Sequence, residues 1–316
     1  MSAGIIPICV SEAKKKYCIG GVEGEIRDYS VSIPGPGDDS KWIWNYSREN
    51  GHEVCAKVQL NTSWECSTVP YIPVYDLICE HMKNLNDAGV KNLMLSWTLG
   101  GYPSFNLKLA INYLKNPTEE TYVRLLREEY GEYADAVKKA STAFSNAFRE
   151  FPFYIGTLYS GPQNAGPSTL LYEKPTGLAA TMTCYAFDDI ERWRGIYPLD
   201  VFTEQFGKLS TKWEEGLKYL ENMPDCSFKD AAYAAYSVFR SSYLQILFNT
   251  NRENGNNAEL IEHVKKERES ARLMYEIMTR NNQIGYEAAN HYYFNKGMLA
   301  EKVLNCDALI DRYSRA

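Results

Sequence analysis

The sequence lacks the features that mark several classes of protein. No apolar run approaches the about 20 residues of a membrane-spanning helix, and residues 1–10 have neither the basic start nor the full apolar stretch of a signal peptide. The eight cysteines and four histidines show no CxxC or Cys/His spacing, which argues against a zinc site and favours reduced thiols over disulfides. Phosphate-loop and GxSxG nucleophile motifs are also missing. We therefore expect a cytoplasmic protein with no metal ion and no organic cofactor.

The sequence also lacks a cluster of basic residues. The 316 residues carry a net charge of −6, and the longest basic run is Lys14–Lys16. A polyanion or an anionic membrane surface would require a basic patch, so we expect neither a nucleic-acid partner nor a membrane partner. Hydrophobic residues make up 45% of the chain, which is ordinary for a folded globular protein.

Aromatic residues are the class in excess. The chain has 24 Tyr, 12 Phe and 6 Trp, or 13% of all residues. Rings with polar tips suit the faces of sugars, but they suit packing and interfaces equally well. Composition alone leaves both uses open.

Residues 1–116 have the pattern of parallel β/α units. Helical patterns at 38–50 and 74–88 are each closed by a glycine, and only two residues separate the second of these glycines from the next strand. Short returns combined with helix-length crossovers are typical of parallel strands. The predicted strands are 5–10, 24–31, 54–60 and 92–97.

The third predicted strand favours a barrel over an open sheet. Its alternate residues Cys55, Lys57, Gln59 and Asn61 form a polar face, which fits the lumen of a barrel near its catalytic rim. A lysine in such a lumen needs a carboxylate partner, because an unpaired buried ammonium group is costly.

From Asn116 onward the pattern is helical. We predict one helix from Asn116 to Glu150, a long irregular segment over 151–198, and four helices at about 199–222, 228–249, 257–281 and 296–313. The predicted domains are 1–116, a partial β/α barrel, and 117–316, a helical domain. The fold class is therefore α/β followed by all-α.

Polar and aromatic residues follow each predicted strand, where β/α barrels carry their active sites. One carboxyl group can protonate a leaving oxygen while a second attacks or activates water, and aromatic rings can hold a sugar, so this combination suits glycoside hydrolysis. A strand-end Glu can also serve a helix N-terminus or a salt bridge, and His81 fits a packing role beside apolar positions. The strand-end residues are Glu12, Asp28, Asn61, Trp64, Glu65, Trp97 and Tyr102.

Several strings carry a family resemblance. VSE, GGV, DYSVSIPGPG, AKVQLNTSWECSTVPYIPV and LMLSWTLGGYPSFN resemble the C-terminal half of the catalytic barrel in bacterial glycoside hydrolases of the hexosaminidase-like class, often described as family 20 domain 2 proteins. The following TEETYVRLLREEYGEYADAVKKASTAFSNAFREFPF resembles the helical domain after their last barrel strand.

The resemblance implies an oligosaccharide or glycoside substrate bound at the rim of a TIM barrel. Glu12 and Glu65 are the predicted catalytic carboxyl groups, acting as acid and as base or nucleophile. The Asp-Glu catalytic pair that family 20 enzymes place after the fourth barrel strand has no counterpart here. The residues expected to position the sugar are Asp28, Asn61, Trp64, Tyr71, Trp97 and Tyr102.

A complete barrel takes about 250 residues, whereas residues 1–116 hold about four β/α units, the second half of such a barrel. We expect one of three explanations: a fragment of a longer enzyme, a homodimer of half-barrels, or a gap covered by the helical domain. The first is favoured, and it would leave localisation open. The competing function is a non-catalytic carbohydrate-binding or scaffold protein derived from a truncated glycosidase barrel.

Overall fold

A computed structural model describes residues 7–95, 102–180, 188–287, 292–293 and 295–315. These residues form a small α/β part followed by a larger helical part. The strands are β1 Ile8–Val10, β2 Lys16–Ile19, β3 Val22–Glu25, β4 Cys55–Val58, β5 Asn92–Leu95, β6 Tyr286–Glu287 and β7 Tyr292–Tyr293. The helices are α1 Asp38–Glu49, α2 Tyr75–Asp87, α3 Phe105–Lys115, α4 Glu119–Tyr130, α5 Ala134–Phe148, α6 Ile155–Ser160, α7 Ile190–Arg194, α8 Leu199–Leu217, α9 Ser227–Asn251, α10 Asn257–Arg280 and α11 Lys296–Arg315.

The central sheet is parallel, with strand order β1-β4-β5. Ile8 lies opposite Cys55, and Cys55 lies opposite Asn92. Helix α1 connects β1 to β4 and helix α2 connects β4 to β5, so the predicted β/α units are present. Because the strands are parallel, their carboxyl ends lie at the same edge of the sheet.

The prediction of the second strand is wrong. Residues 24–31 do not enter the parallel sheet; instead β2 and β3 form an antiparallel hairpin in which Ile19 pairs with Val22. Gly20 and Gly21 connect the two strands with positive φ angles of 58° and 79°, the conformation that a tight hairpin turn requires and that glycine adopts readily. Among the described residues the parallel sheet therefore has three strands, not four.

The single helix predicted from Asn116 to Glu150 is also corrected. It is two helices, α4 and α5, separated where Gly131 adopts a positive φ of 55°. Asn116 ends the unpredicted helix α3, and the α4 N-cap is Thr118, whose hydroxyl accepts from the Thr121 N–H at 3.2 Å. Thr118 is favoured as a cap because its short side chain reaches this free N–H.

The four C-terminal helices are confirmed as α8 to α11, with ends shifted by a few residues. Their core is aromatic: Trp213 stacks on Phe144 at 4.4 Å between ring centroids and meets Phe239 edge-on at 5.0 Å. A Cβ at Gly216 would lie 2.6 Å from the Phe144 ring, so this glycine permits the close approach of α8 to α5. No helix within the described ranges is long and apolar enough to cross a bilayer.

Candidate active site

The loop after β1 holds Glu12 in a fixed backbone position. The Ser11 N–H donates to the Lys57 carbonyl at 3.0 Å, and the Gly37 N–H donates to the Ser11 carbonyl at 2.9 Å. The Ser11 hydroxyl is hydrogen-bonded to His81, a buried histidine whose pKa is lowered to about 3 by burial. His81 is therefore neutral at neutral pH, in the packing role predicted for it.

Glycine is required opposite this loop. A Cβ at Gly37 would lie 1.9 Å from the Ala13 carbonyl oxygen and 2.5 Å from that of Glu12. Gly35 packs in the same way, with its Cβ position 2.5 Å from the Ser11 hydroxyl. The GPG string thus closes over Glu12 because its two glycines have no side chain.

The carboxyl group of Glu12 is buried and has no hydrogen-bond partner among the described residues. The residue is 0% exposed, and neither carboxyl oxygen makes a hydrogen bond within the described part of the chain. Burial raises the pKa of Glu12 well above its usual range. The nearby backbone N–H groups of Glu12 and Ser30 oppose part of this shift, although neither reaches hydrogen-bond geometry, whereas the negative charges of Glu65 and Asp28 add to it. Burial therefore favours the protonated form of Glu12, and the charges of Glu65 and Asp28 act in the same direction.

Glu65 is equally buried, but both of its carboxyl oxygens accept hydrogen bonds. Its Oε1 accepts from the Ser30 hydroxyl at 2.8 Å, from the Ser32 N–H at 3.2 Å and from the Ser32 hydroxyl. Its Oε2 accepts from the Val31 N–H at 2.6 Å and from the Ser63 hydroxyl at 2.5 Å. Burial raises the pKa of Glu65, and the Val31 N–H together with the hydroxyl groups of three serines, 30, 32 and 63, opposes the shift. Glu65 thus anchors the 30–32 loop beside the end of β4.

Asp28 is the more accessible carboxyl group of the three. It is partly exposed and accepts from the Tyr29 N–H at 2.8 Å and from the Tyr159 hydroxyl at 2.5 Å. Burial and the contact with Asp28 raise the pKa of Tyr159, which stays a hydrogen-bond donor. The Lys57 ammonium group lies 5.2 Å from the centroid of the ring of Tyr29, the residue after Asp28, in a cation–π contact.

Trp64 lies in the wall of this cluster. Its side chain is 9% exposed and meets Tyr159 edge-on at 5.6 Å between centroids. The Trp64 carbonyl accepts from the Gln163 side chain at 3.2 Å. Helix α6 and the turn after it, which belong to the predicted irregular segment, therefore pack directly over the strand ends.

The remaining described residues of the predicted sugar site lie apart from the three carboxyl groups. Asn61 donates to the Tyr102 carbonyl at 3.1 Å and accepts from the Ser104 hydroxyl, so it holds the loop before α3. Tyr102 stacks on Tyr71, with ring centroids 5.9 Å apart, and both rings line a cavity of about 440 Å³. The described lining of that cavity contains none of the three carboxyl groups. Trp97 lies outside the described residues.

Two kinds of contact at the carboxylate cluster were not predicted. Two of the three serines that bind Glu65 occupy alternate positions, 30 and 32, in DYSVSI, and this spacing is a local signal that was available. Tyr159 and Gln163 come from the segment that is too long for a simple connector, which marked it as functional or packed but did not say which residues reach the site. The described residues contain no group of three metal-binding side chains.

Comparisons with known proteins found little. No family model and no curated protein matches the chain, so the resemblance to hexosaminidase-like glycoside hydrolases stays a prediction. One solved structure that it resembles is described as a GH138 enzyme targeting pectin rhamnogalacturonan II. The identity is 12% and the TM-score 0.43, over 87% of this chain and 49% of that one. The chain thus spans about half the length of that structure.

Proposed function

We propose that this chain is a glycoside-hydrolase-like protein that cleaves a glycosidic bond with carboxyl groups at the carboxyl ends of parallel strands. The observation that carries the proposal is the buried Glu12 carboxyl group, which makes no hydrogen bond within the described residues and lies close to Glu65 and Asp28. Carboxyl groups whose surroundings give them different protonation states are what glycosidic acid and base catalysis requires.

Glu12 is assigned the role of general acid. Its pKa is raised by burial, so it carries the proton that a leaving glycosidic oxygen must receive. The rigid loop around Ser11 and Gly37 would keep this proton in one position during the reaction.

The second catalytic group is one of two residues. Glu65 was predicted for it, but five donors already occupy its oxygens. Within the described residues Asp28 accepts two hydrogen bonds, and it is partly exposed, so it fits a base or nucleophile better. We assign Asp28 this role and assign Glu65 the positioning of the loop that carries Ser30 and Ser32.

We also infer that β1, β4 and β5 belong to a β/α barrel and that 1–116 and 117–316 are its domains. Further strands would pair with β1 and β5, supplied by a second copy of this chain or by a longer form of the protein. Ile8 on β1 is 52% exposed and Met94 on β5 is 45% exposed, as expected for sides that another element covers. Light scattering on the purified chain tests the first source, because a monomer excludes the homodimer.

The catalytic assignment is tested with substrates that differ in leaving group. Glu12→Gln should lower turnover of a disaccharide about 10²- to 10⁴-fold, but should affect a dinitrophenyl glycoside much less, because that leaving group departs without a proton. Asp28→Asn should lower turnover of both substrates. Asp87→Asn, an exposed change on α2, is the matched control. Equal losses on both substrates for Glu12→Gln would refute the acid role.

A non-catalytic carbohydrate-binding protein is the second candidate. Two observations favour it: Glu65 is saturated with hydrogen bonds, and Tyr71 and Tyr102 line a cavity of their own. This function predicts glycan binding that survives Glu12→Gln in a protein that turns over no aryl glycoside. A wild-type protein that hydrolyses any of these substrates would exclude it.

A further inference from the structure

The cavity beside Tyr71 lies between the α/β part and the helical part. Four segments form it: the loop before α2, which carries Tyr71, the loop leading into α3, the end of α4 with the turn after it, and the connection from α8 to α9. We call it the tyrosine cleft. Its lining residues are Tyr71, Tyr102, Pro103, Ser104, Phe105, Glu129, Tyr130, Tyr133, Met223, Pro224, Cys226, Ser227 and Phe228.

Its aromatic rings hold one another in place. Tyr71 and Tyr102 are stacked with an interplanar angle of 27°. Tyr130 meets Phe105 at 5.2 Å and Phe228 at 5.5 Å between centroids. Rings fixed by their neighbours lose little freedom when a ligand packs on them, so the cleft is preorganised for a flat, partly apolar face.

Tyr71 brings to the cleft a hydroxyl group that has no hydrogen-bond partner among the described residues. Tyr71 is 4% exposed, and its hydroxyl makes no hydrogen bond within the described residues. By contrast the Tyr130 hydroxyl is bonded to that of Tyr75 at 2.6 Å, and the Ser104 hydroxyl donates to Asn61. Burial raises the pKa of Tyr71 far above neutrality, so this hydroxyl remains a donor. A hydroxyl group of a buried residue that lines a cavity is a hydrogen-bonding position for a ligand.

The charges around the cleft argue against an ionic ligand. No lysine or arginine belongs to the described lining, so an anion would find no counter-charge. The one carboxylate, Glu129, is exposed and already paired with Lys108 at 2.8 Å, so it does not single out a cation. A ligand that offers a flat C–H face and neutral hydroxyl groups fits both the rings and the free Tyr71 hydroxyl.

We propose that the tyrosine cleft binds a neutral sugar unit of an oligosaccharide, at a site separate from the carboxylate cluster. The choice of a sugar rests on the proposed function. Asn61 connects the two places, because it holds the Tyr102 loop and lies in the same segment, 61–65, as Trp64 and Glu65. The cleft would therefore recognise long substrates while the cluster cleaves them.

The experiment measures binding without turnover, in a Glu12→Gln background. The probes are cellohexaose, xylohexaose, mannohexaose, maltohexaose and chitohexaose, studied by calorimetry, with choline as the cationic probe. We expect at least one hexasaccharide to bind, and Tyr102→Ala to weaken it about tenfold through loss of ring stacking. Tyr71→Phe removes only the hydroxyl and should weaken it about threefold to tenfold. Tyr275→Ala, an exposed tyrosine on α10, should leave affinity unchanged.

Two results would overturn the proposal: binding of none of the five hexasaccharides, or hexasaccharide binding that neither Tyr102→Ala nor Tyr71→Phe weakens. If no hexasaccharide binds, but choline binds and these variants abolish its binding, the ligand of the cleft is a cation and not a sugar. The proposed hydrolysis can be refuted independently of sugar binding in the cleft. If the wild type cleaves no glycoside but the hexasaccharide binding depends on Tyr102 and Tyr71, the cleft stands and the catalytic assignment does not.

Discussion

Buried charged side chains occur in both parts of the chain, but their surroundings differ. In the α/β part, the Glu12 carboxyl group is 0% exposed, makes no hydrogen bond within the described residues and lies near other carboxyl groups. In the helical part, Lys302 is paired with Glu267 at 2.9 Å and Arg252 with Asp188 at 2.6 Å, all of them buried. The two pairs of the helical part compensate the loss of water around their charges, whereas the Glu12 carboxyl group has no such compensation within the described residues.

The Lys302 pair connects three elements. The ammonium group on α11 contacts Glu267 on α10 and donates to the Thr169 carbonyl in the irregular segment. The Ser241 hydroxyl on α9 donates to the same Glu267 oxygen at 2.7 Å. Because the charges satisfy each other, this site explains the arrangement of the helices and requires no ligand.

The difference indicates where to look for chemistry. A buried acid without a partner lowers the stability of the fold, whereas a paired one helps to specify it. Such an unfavourable group is retained most readily where a function uses its altered protonation state. The contrast therefore supports the assignment of Glu12, and not Glu267, as the acid of the proposed reaction.

The largest expected effect comes from breaking the compensated pair. Lys302→Met should leave Glu267 buried without its counter-charge and lower the free energy of unfolding by about 3–5 kcal/mol. Urea denaturation of the variant measures it. Lys302→Met combined with Glu267→Gln should recover much of the loss, because no charge remains buried. A single variant as stable as wild type would show that the pair is not compensating.

The opposite result is expected at Glu12, and it depends on pH. Its folded-state pKa is raised above the ordinary value of 4.5, so the folded protein holds a proton that the unfolded chain releases, and stability falls as pH rises above that value. Glu12→Gln removes this dependence. Its stability relative to wild type should therefore increase from pH 5 to pH 7, by at most about 1.4 kcal/mol per pH unit.

Urea titrations of both proteins at several pH values check this prediction. Asp188 gives the contrast within the same molecule. Burial alone would raise its pKa, but Thr176 and Arg252 outweigh burial and lower it. Its stabilising contribution is thus present above the ordinary value of 3.8 and is lost in acid. A Glu12→Gln curve parallel to wild type between pH 5 and pH 7 would contradict the unpaired, protonated state of Glu12.

A smaller effect is expected where a carboxylate of the α/β part is compensated. Ser32→Ala removes one donor from Glu65 and leaves the other residues that bind it, so we expect a loss of about 1–2 kcal/mol in unfolding free energy. Ser314→Ala, an exposed helical serine, should change stability by less than about 0.5 kcal/mol. If Ser32→Ala behaved like the control, Glu65 would not be the anchor of its loop.

Local sequence patterns predicted the structural features that local interactions determine. The glycine after α2 and the short return to β5 gave the parallel connection, and strand-end positions identified Glu12 and Glu65 as candidates. The Gly20–Gly21 turn was missed because residues 24–31 were assigned to a strand without their partner at 16–19.

Long-range contacts could not be predicted in this way. Tyr159 reaches Asp28 across 131 residues, and Thr169 meets Lys302 across 133. No spacing within either segment encodes which partner it will find, because tertiary packing decides it. The lack of hydrogen bonds at Glu12 within the described residues is likewise a property of the folded surroundings and not of its neighbours in sequence.

The smallest expected effect tests whether burial explains the large contribution of the ion pairs in the helical part. Arg124 and Glu128 on α4 form the same arginine–carboxylate contact as Arg252 and Asp188, at the same distance of 2.6 Å, but both side chains are about half exposed. Arg124→Met should lower stability by less than about 0.5 kcal/mol, since water screens an exposed pair. Arg252→Met should resemble Lys302→Met. Equal thermal shifts for the two arginine variants would show that pairing, and not the loss of water, distinguishes the two regions.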